Sequence, residues 1–250
     1  MSQGQRSDHA RIRRGAVWHM SRVTVIIATH RPLGAVIPLR ALQLQSLVDF
    51  DVVLVTEIGE AAWGARNDLL LDGRVKVIEA PAAKYYAPAN VLNVGIDAAQ
   101  SDILALLADF AWPEAQWLGK LVETLVKERT SVVGGVKCSH GTADSFICTP
   151  SNCKGRPRLP LGFAVDSARV FPFQAAFNLG NLGFYRKDAL SVNGIEERFG
   201  GDHGHHDENF VRRLVAATKQ HAVLKNAVIH HYWPYDSGYK PLLRAEARPW

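Results

Sequence analysis

Four short segments, Val23–Ile27, Asp51–Val55, Val75–Ile78 and Ile103–Leu107, are mostly apolar and rich in β-branched residues. A strand with one wet face alternates polar and apolar residues, whereas strands lacking that alternation are buried on both faces. Stretches with helical spacing separate them. Leu39, Leu42 and Ser46–Leu47 form one, and residues 90–99 form another. Pro113 stands where a third helix is expected to begin, with Trp117, Leu118, Leu121, Val122 and Leu125 as its buried stripe. This alternation predicts an α/β fold with a mostly parallel sheet flanked by helices. Such sheets bind ligands beyond the carboxyl ends of their strands. That rule singles out Thr29, His30 and Arg31 after the first strand, Glu57 after the second and Asp109 after the fourth. The first strand is followed by neither Gly-x-Gly-x-x-Gly nor a GxxxxGK[ST] loop, which argues against a dinucleotide fold and a phosphate-loop ATPase.

Beyond about residue 131 the periodicity loosens, and residues 138–175 carry Cys138, Cys148 and Cys153 among several Gly and Pro. A long irregular stretch inside a compact domain is functional or disordered. Three cysteines without a CxxC pair read as free thiols. Order returns at Asn178–Phe184. Phe210, Val211, Leu214 and Val215 mark a helix, and Val223–Ile229 reads as a last strand that delivers His230 and His231 to its end.

The 250 residues are 47% apolar and carry a net charge of +5. Arg6, Arg11, Arg13, Arg14 and Arg22 stand against Asp8 in the first 22 residues, so most of this charge lies in an N-terminal tail. The body is close to neutral and is not expected to bind nucleic acid. No run approaches a membrane span, and the N-terminus lacks a secretory pattern, so a soluble cytoplasmic protein is expected.

Four segments, in order, carry a family resemblance: Val23–Pro32; Leu92-Asn93-Val94-Gly95 before the strand to Asp109; Gly180-Asn181-Leu182-Gly183-Phe184 through Asp188 and on to Val192-Asn193-Gly194; and His206-Asp207-Glu208-Asn209-Phe210 with Arg213-Leu214. Together they resemble inverting glycosyltransferases of the GT-A fold, in particular family 2, with a C-terminal region similar to β-1,4-galactosyltransferases. The resemblance implies a Rossmann-like fold with an acceptor-side C-terminal portion. It divides the chain into a basic tail (1–21), a nucleotide-sugar-binding half (22–130) and an acceptor-binding, catalytic-base half (131–250) of one domain.

The resemblance also implies roles. In related enzymes Glu-Asp-x-Asp opens a helix beneath the donor sugar. Here the run is His206-Asp207-Glu208-Asn209, so Asp207 is the implied general base and Glu208 its reserve. Thr29, His30, Arg31, Glu57, Asn93, Asp109, Gly180 and Asn181 are the implied nucleotide-sugar contacts, although Asn93 reads equally well as a packing residue. Family members close the fourth strand with Asp-x-Asp, which holds a divalent cation on the diphosphate. The equivalent here is Ala108-Asp109-Phe110, and Phe110 offers no oxygen ligand. Asp109, His230 and His231 are the remaining candidate ligands for Mn2+ or Mg2+, with cationic side chains such as Arg31 the alternative. The partners expected are a nucleotide-sugar donor and an acceptor that is a saccharide, lipid-linked, a peptide or a small molecule.

Two rival readings stand beside this one. A degenerate transferase would bind a nucleotide sugar or carbohydrate without turnover. A zinc metallohydrolase would use His203, His205, His206 and Asp207, which nearly reproduce H-x-H-x-D-H.

Overall fold

A computed structural model describes residues 23–64, 66–81, 88–128, 130–140, 156–157, 179–199, 205–218 and 220–232. The basic tail, Cys148, Cys153, His203 and Trp233 lie outside the described residues. The first half runs β1 (Val23–Thr29), α1 (Val36–Leu42), β2 (Asp51–Thr56), β3 (Val75–Glu79), α2 (Pro88–Ala98), β4 (Ile103–Ala108), β5 (Ala111–Pro113) and α3 (Trp117–Lys127). The second runs β6 (Val132–His140), β7 (Arg156–Pro157), β8 (Asn181–Tyr185), α4 (Arg186–Ser191), α5 (His205–Thr218) and β9 (His221–Tyr232).

The mostly apolar runs have a direct cause. Successive strand residues point to opposite faces, and both faces of this sheet are covered. Val25, Ile27, Val52, Leu54, Ala105 and Leu107 meet α1 and α3 through Leu39, Trp117, Leu118 and Leu121. Ile26, Ala28, Val53, Val55, Leu104 and Leu106 meet α2 and α5 through Leu92, Ile96, Phe210 and Leu214. Each core side chain of this size is worth about 1.5–3 kcal/mol when fully buried.

The strand order is β3-β2-β1-β4-β8-β6-β9-β5, with β7 paired to β6. β1 pairs parallel with both β2 and β4, and β2 with β3. β8 is antiparallel to both its neighbours, β4 and β6. The chain leaves β1 towards β2 on one side, and returns from β3 to β4 on the other. The carboxyl ends of β1 and β4 therefore flank the topological switch point.

Four expectations are corrected. Pro113 does not open a helix: it lies in β5, opposite Ile229, and α3 starts at Trp117. Proline lacks an N–H and so fits the edge position β5 occupies. The first helix stops at Leu42, because Gln45 turns to α3: its Nε2 donates to the Glu114 carbonyl and its Oε1 accepts from the Leu118 N–H. Residues 138–140, the start of the stretch expected to be irregular, belong to a nine-residue strand, β6. The last strand runs through Tyr232, so His230 and His231 lie inside it, both buried.

The β6–β9 pair also changes direction. Its register shifts between Gly135 and Val136. β5 follows β4 after only two residues, yet pairs with the far end of β9. The outer part of the β6–β9 ribbon must therefore arch across the carboxyl end of β4, above the switch point. Gly135 makes this possible, since a Cβ there would sit 2.1 Å from the Ala227 carbonyl oxygen.

Candidate active site

Thr29 closes β1 fully buried, and its hydroxyl donates to Asp109 Oδ2 at 3.0 Å. The same hydroxyl oxygen accepts the Arg31 N–H at 3.2 Å, which turns the chain out of the strand. The turn brings Arg31 Nε to 3.5 Å from Asp109 Oδ2 and its guanidinium over the Phe110 ring, 5.8 Å from the centroid. Phe110 has φ 53° and Leu33 φ 60°, both left-handed, and the Phe110 N–H donates to the Gly34 carbonyl. Strained backbone of this kind persists where surrounding contacts over-determine it, and it clusters at functional sites. Gly34 is required here, because a Cβ would fall 2.2 Å from Thr29 Oγ1.

Asp109 is only 7% exposed. Burial raises its pKa, against the opposing pull of Arg31, the Thr29 hydrogen bond and Lys137 on the β6 ribbon. His30 is held below its ordinary value by burial and by Arg31, so it is neutral at pH 7. Glu57, half-buried, follows β2 beside the same end of the sheet.

Because β8 is antiparallel, its first residues lie beside the last of β4. The Ala108 N–H donates to the Gly180 carbonyl at 2.9 Å. One residue earlier, the Leu179 N–H donates to Asp207 Oδ2 at 3.3 Å. Asp207 lies in the first turn of α5, where a carboxylate is favoured by the helix dipole. Its other oxygen, Oδ1, is 2.8 Å from His206 Nε2, and its side chain remains 19% exposed. A chain of contacts thus runs from Asp207 through Leu179 and Gly180 to the end of β4, and on to Thr29 and Arg31.

Other sequence candidates are engaged elsewhere. Glu208 pairs with Arg212 one turn along α5 at 2.5 Å. Asn181 is buried: its Oδ1 accepts the Trp117 indole N–H at 2.7 Å, and its Nδ2 donates to the Ala227 carbonyl at 3.2 Å. These two bonds tie α3 and β9 to β8. Asn93 Nδ2 donates to the Ile195 carbonyl and its Oδ1 accepts the Ile195 N–H, both at 2.8 Å, which supports its packing reading over nucleotide contact. We expect Asn93→Ala to cost about 2 kcal/mol in urea unfolding, the order of two lost backbone bonds. Nucleoside diphosphate affinity measured by titration calorimetry should stay unchanged.

Asp109 faces Thr29 and Arg31, whereas His230 Nε2 lies 3.3 Å from Glu114 Oε1. His230 and His231 are consecutive in a strand and so point to opposite faces. Among the described residues, no group of three His, Cys, Asp or Glu side chains could hold a metal ion.

The sequence profile described as Glycosyl transferase family 2 matches residues 61–193, more than half of the chain. The chain belongs to glycosyl transferase family 2. No curated protein sequence matches it. Among solved structures it is similar to S. aureus TarS 1-349, with TM-score 0.63 and 14% identity over 88% of this chain and 63% of that one. A longer S. aureus TarS structure gives TM-score 0.62 and 13% identity over 90% and 39%. The mannosyltransferase PcManGT from Pyrobaculum calidifontis, in complex with GDP-Man and Mn2+, gives 0.59 and 16% over 93% and 66%. The family 2 chain thus spans less than two thirds of each of these proteins, and shares their GT-A fold. No helix among its described residues is long and apolar enough to cross a membrane.

Sequence reasoning missed three residues of the candidate site in this family 2 chain. Phe110 was legible only as a missing carboxylate. Lys137 gave no local signal, because its electrostatic pull on Asp109 depends on the arch of β6 and β9. His206 was weighed only as a zinc ligand, although its adjacency to Asp207 was visible in the sequence.

Proposed function

We propose that the protein transfers a hexosyl group from a nucleotide-sugar donor to an acceptor hydroxyl with inversion, and that Asp207 is the general base. The observation that carries this reading is the contact chain from Asp207 to the switch point between β1 and β4. Donor and base would then face one another across the start of β8. Asp207 takes the acceptor proton as the hydroxyl oxygen attacks the anomeric carbon. The bond from that carbon to the diphosphate oxygen breaks, and its electron pair leaves with the diphosphate. The bond from Leu179 and the His206 contact fix the orientation of the carboxylate. In this reading Thr29, His30 and Glu57 meet base and ribose, and Gly180 gives the donor a close backbone approach.

The donor class is supported by the GDP-Man named in the PcManGT complex. The direct test is incubation with GDP-mannose, UDP-glucose, UDP-N-acetylglucosamine and UDP-galactose, measuring release of nucleoside diphosphate. One donor should be hydrolysed slowly without acceptor. Thermal stabilisation by a donor with no hydrolysis would favour the second reading, a carbohydrate-binding protein without turnover. Phe110, at the place of a family carboxylate, motivates that alternative.

A further inference from the structure

We infer that Arg31, seconded by Lys137, takes the place of the divalent cation against the leaving diphosphate, so that donor binding needs no metal. This rests on the transferase reading above.

The observations come from three directions. Asp109, the carboxylate that lies between the two family metal positions held here by Ala108 and Phe110, already has cationic and hydrogen-bonding partners in Arg31 and Thr29. A divalent ion at Asp109 would lie beside the Arg31 guanidinium, where like-charge repulsion opposes it. The next position holds Phe110, whose ring lies under that guanidinium. An apolar ring there cannot bind a hard cation, but it does hold an arginine by a cation–π contact. The loss of the second carboxylate and the placement of the cationic side chain are thus parts of one unit.

Charge and access agree with this. One carboxylate, Asp109, stands against two cations, Arg31 and Lys137, the latter close enough to act electrostatically on Asp109. Around Asp109 itself the balance is positive, with Glu57 following β2 at the same end of the sheet. The Arg31 side chain retains 22% exposure, so it is reachable from the crevice. A guanidinium fork matches two phosphate oxygens, a geometry a point charge lacks. Its position at the switch point, where sheets of this type receive ligands, aims it at the diphosphate. As the bond from the anomeric carbon to the diphosphate breaks, the growing charge on the departing oxygen is met by a donor already in position. The backbone supports this placement: left-handed Leu33 and Phe110, joined through Gly34, hold the Arg31 turn against Asp109.

The experiment is titration calorimetry of UDP, GDP, ADP and dTDP, each alone, in EDTA and again in Mn2+. At least one diphosphate should bind with the same affinity in both, a comparison that needs no variant. In EDTA, Arg31→Gln should weaken that ligand roughly 10- to 100-fold, as expected for losing charged hydrogen bonds, and Arg31→Lys should recover part of the loss. Far-UV circular dichroism would confirm that the variants are folded. Binding that appears only with Mn2+ would overturn this inference and leave the transferase reading standing. Metal-independent binding unaffected by Arg31→Gln would overturn the role of Arg31. If none of the four diphosphates bound under either condition, the transferase reading would fall and this inference with it.

Discussion

Asp207→Asn should leave the protein folded and able to bind donor, while lowering transfer by roughly 10²- to 10⁴-fold, the usual contribution of a general base. The amide has nearly the shape of the carboxylate. Its oxygen can still accept the Leu179 N–H, and its NH2 can donate to His206 if the imidazole adopts the tautomer with an unprotonated Nε2. What the amide cannot do is take a proton from the acceptor. The expected signature is a loss in kcat with an unchanged melting temperature and unchanged diphosphate affinity. Glu208→Gln serves as the comparison. Glu208 is engaged with Arg212 on the outer side of α5, so this variant should transfer at close to the normal rate. Should Asp207→Asn retain normal turnover, Asp207 is not the base.

A second large effect is expected far from the chemistry. Gly135→Ala should destabilise the protein by about 3 kcal/mol, at the upper end for overpacking a core. The added methyl would lie 2.1 Å from the Ala227 carbonyl oxygen and 2.7–2.8 Å from the Asn181 amide. Neither can retreat easily. The first is backbone within β9, and the second holds Trp117 and Ala227 at once. Separating β6 from β9 would disturb the ribbon that carries Lys137 towards Asp109. Guanidinium unfolding measures the change, and a loss below about 1 kcal/mol would mean the register shift relaxes without strain.

These residues also show what was legible in the sequence. β1, β2 and β4 could be read because burial on two faces forbids polar alternation, so their runs stand out, whereas β3, a partly buried edge strand containing Lys76, was read from its β-branched residues and the preceding turn. β6 could not, since the Gly134–Gly135 pair that permits the arch also interrupts the apolar pattern. β5 has only three residues and contains a proline, and it exists because β9 is there to pair with it. In the site, Thr29, Arg31 and Asp109 followed from the rule about strand ends, which needs only strand positions. The hydrogen bonds of Asn93 and Asn181 were not legible, because local sequence does not say where an amide points. Their partners, Ile195, Trp117 and Ala227, are distant along the chain. Lys137 and the facing of His230 towards Glu114 likewise depend on long-range pairing.

The place of β8 between β4 and β6 has a bearing on how the protein is made. During synthesis, β1 to β4 emerge with local parallel partners and can begin to pair. The outer edge of β4 must wait for residues 181–185, and the Trp117 indole waits for Asn181. Until then the growing chain presents an uncovered strand edge and an incomplete layer on α2, which lacks Phe184 and Phe210. An exposed edge is a template for pairing with other chains, and non-local strand pairing is slow. A chain that ends between α3 and β8 therefore exposes an aggregation-prone edge, the kind of intermediate that chaperones protect.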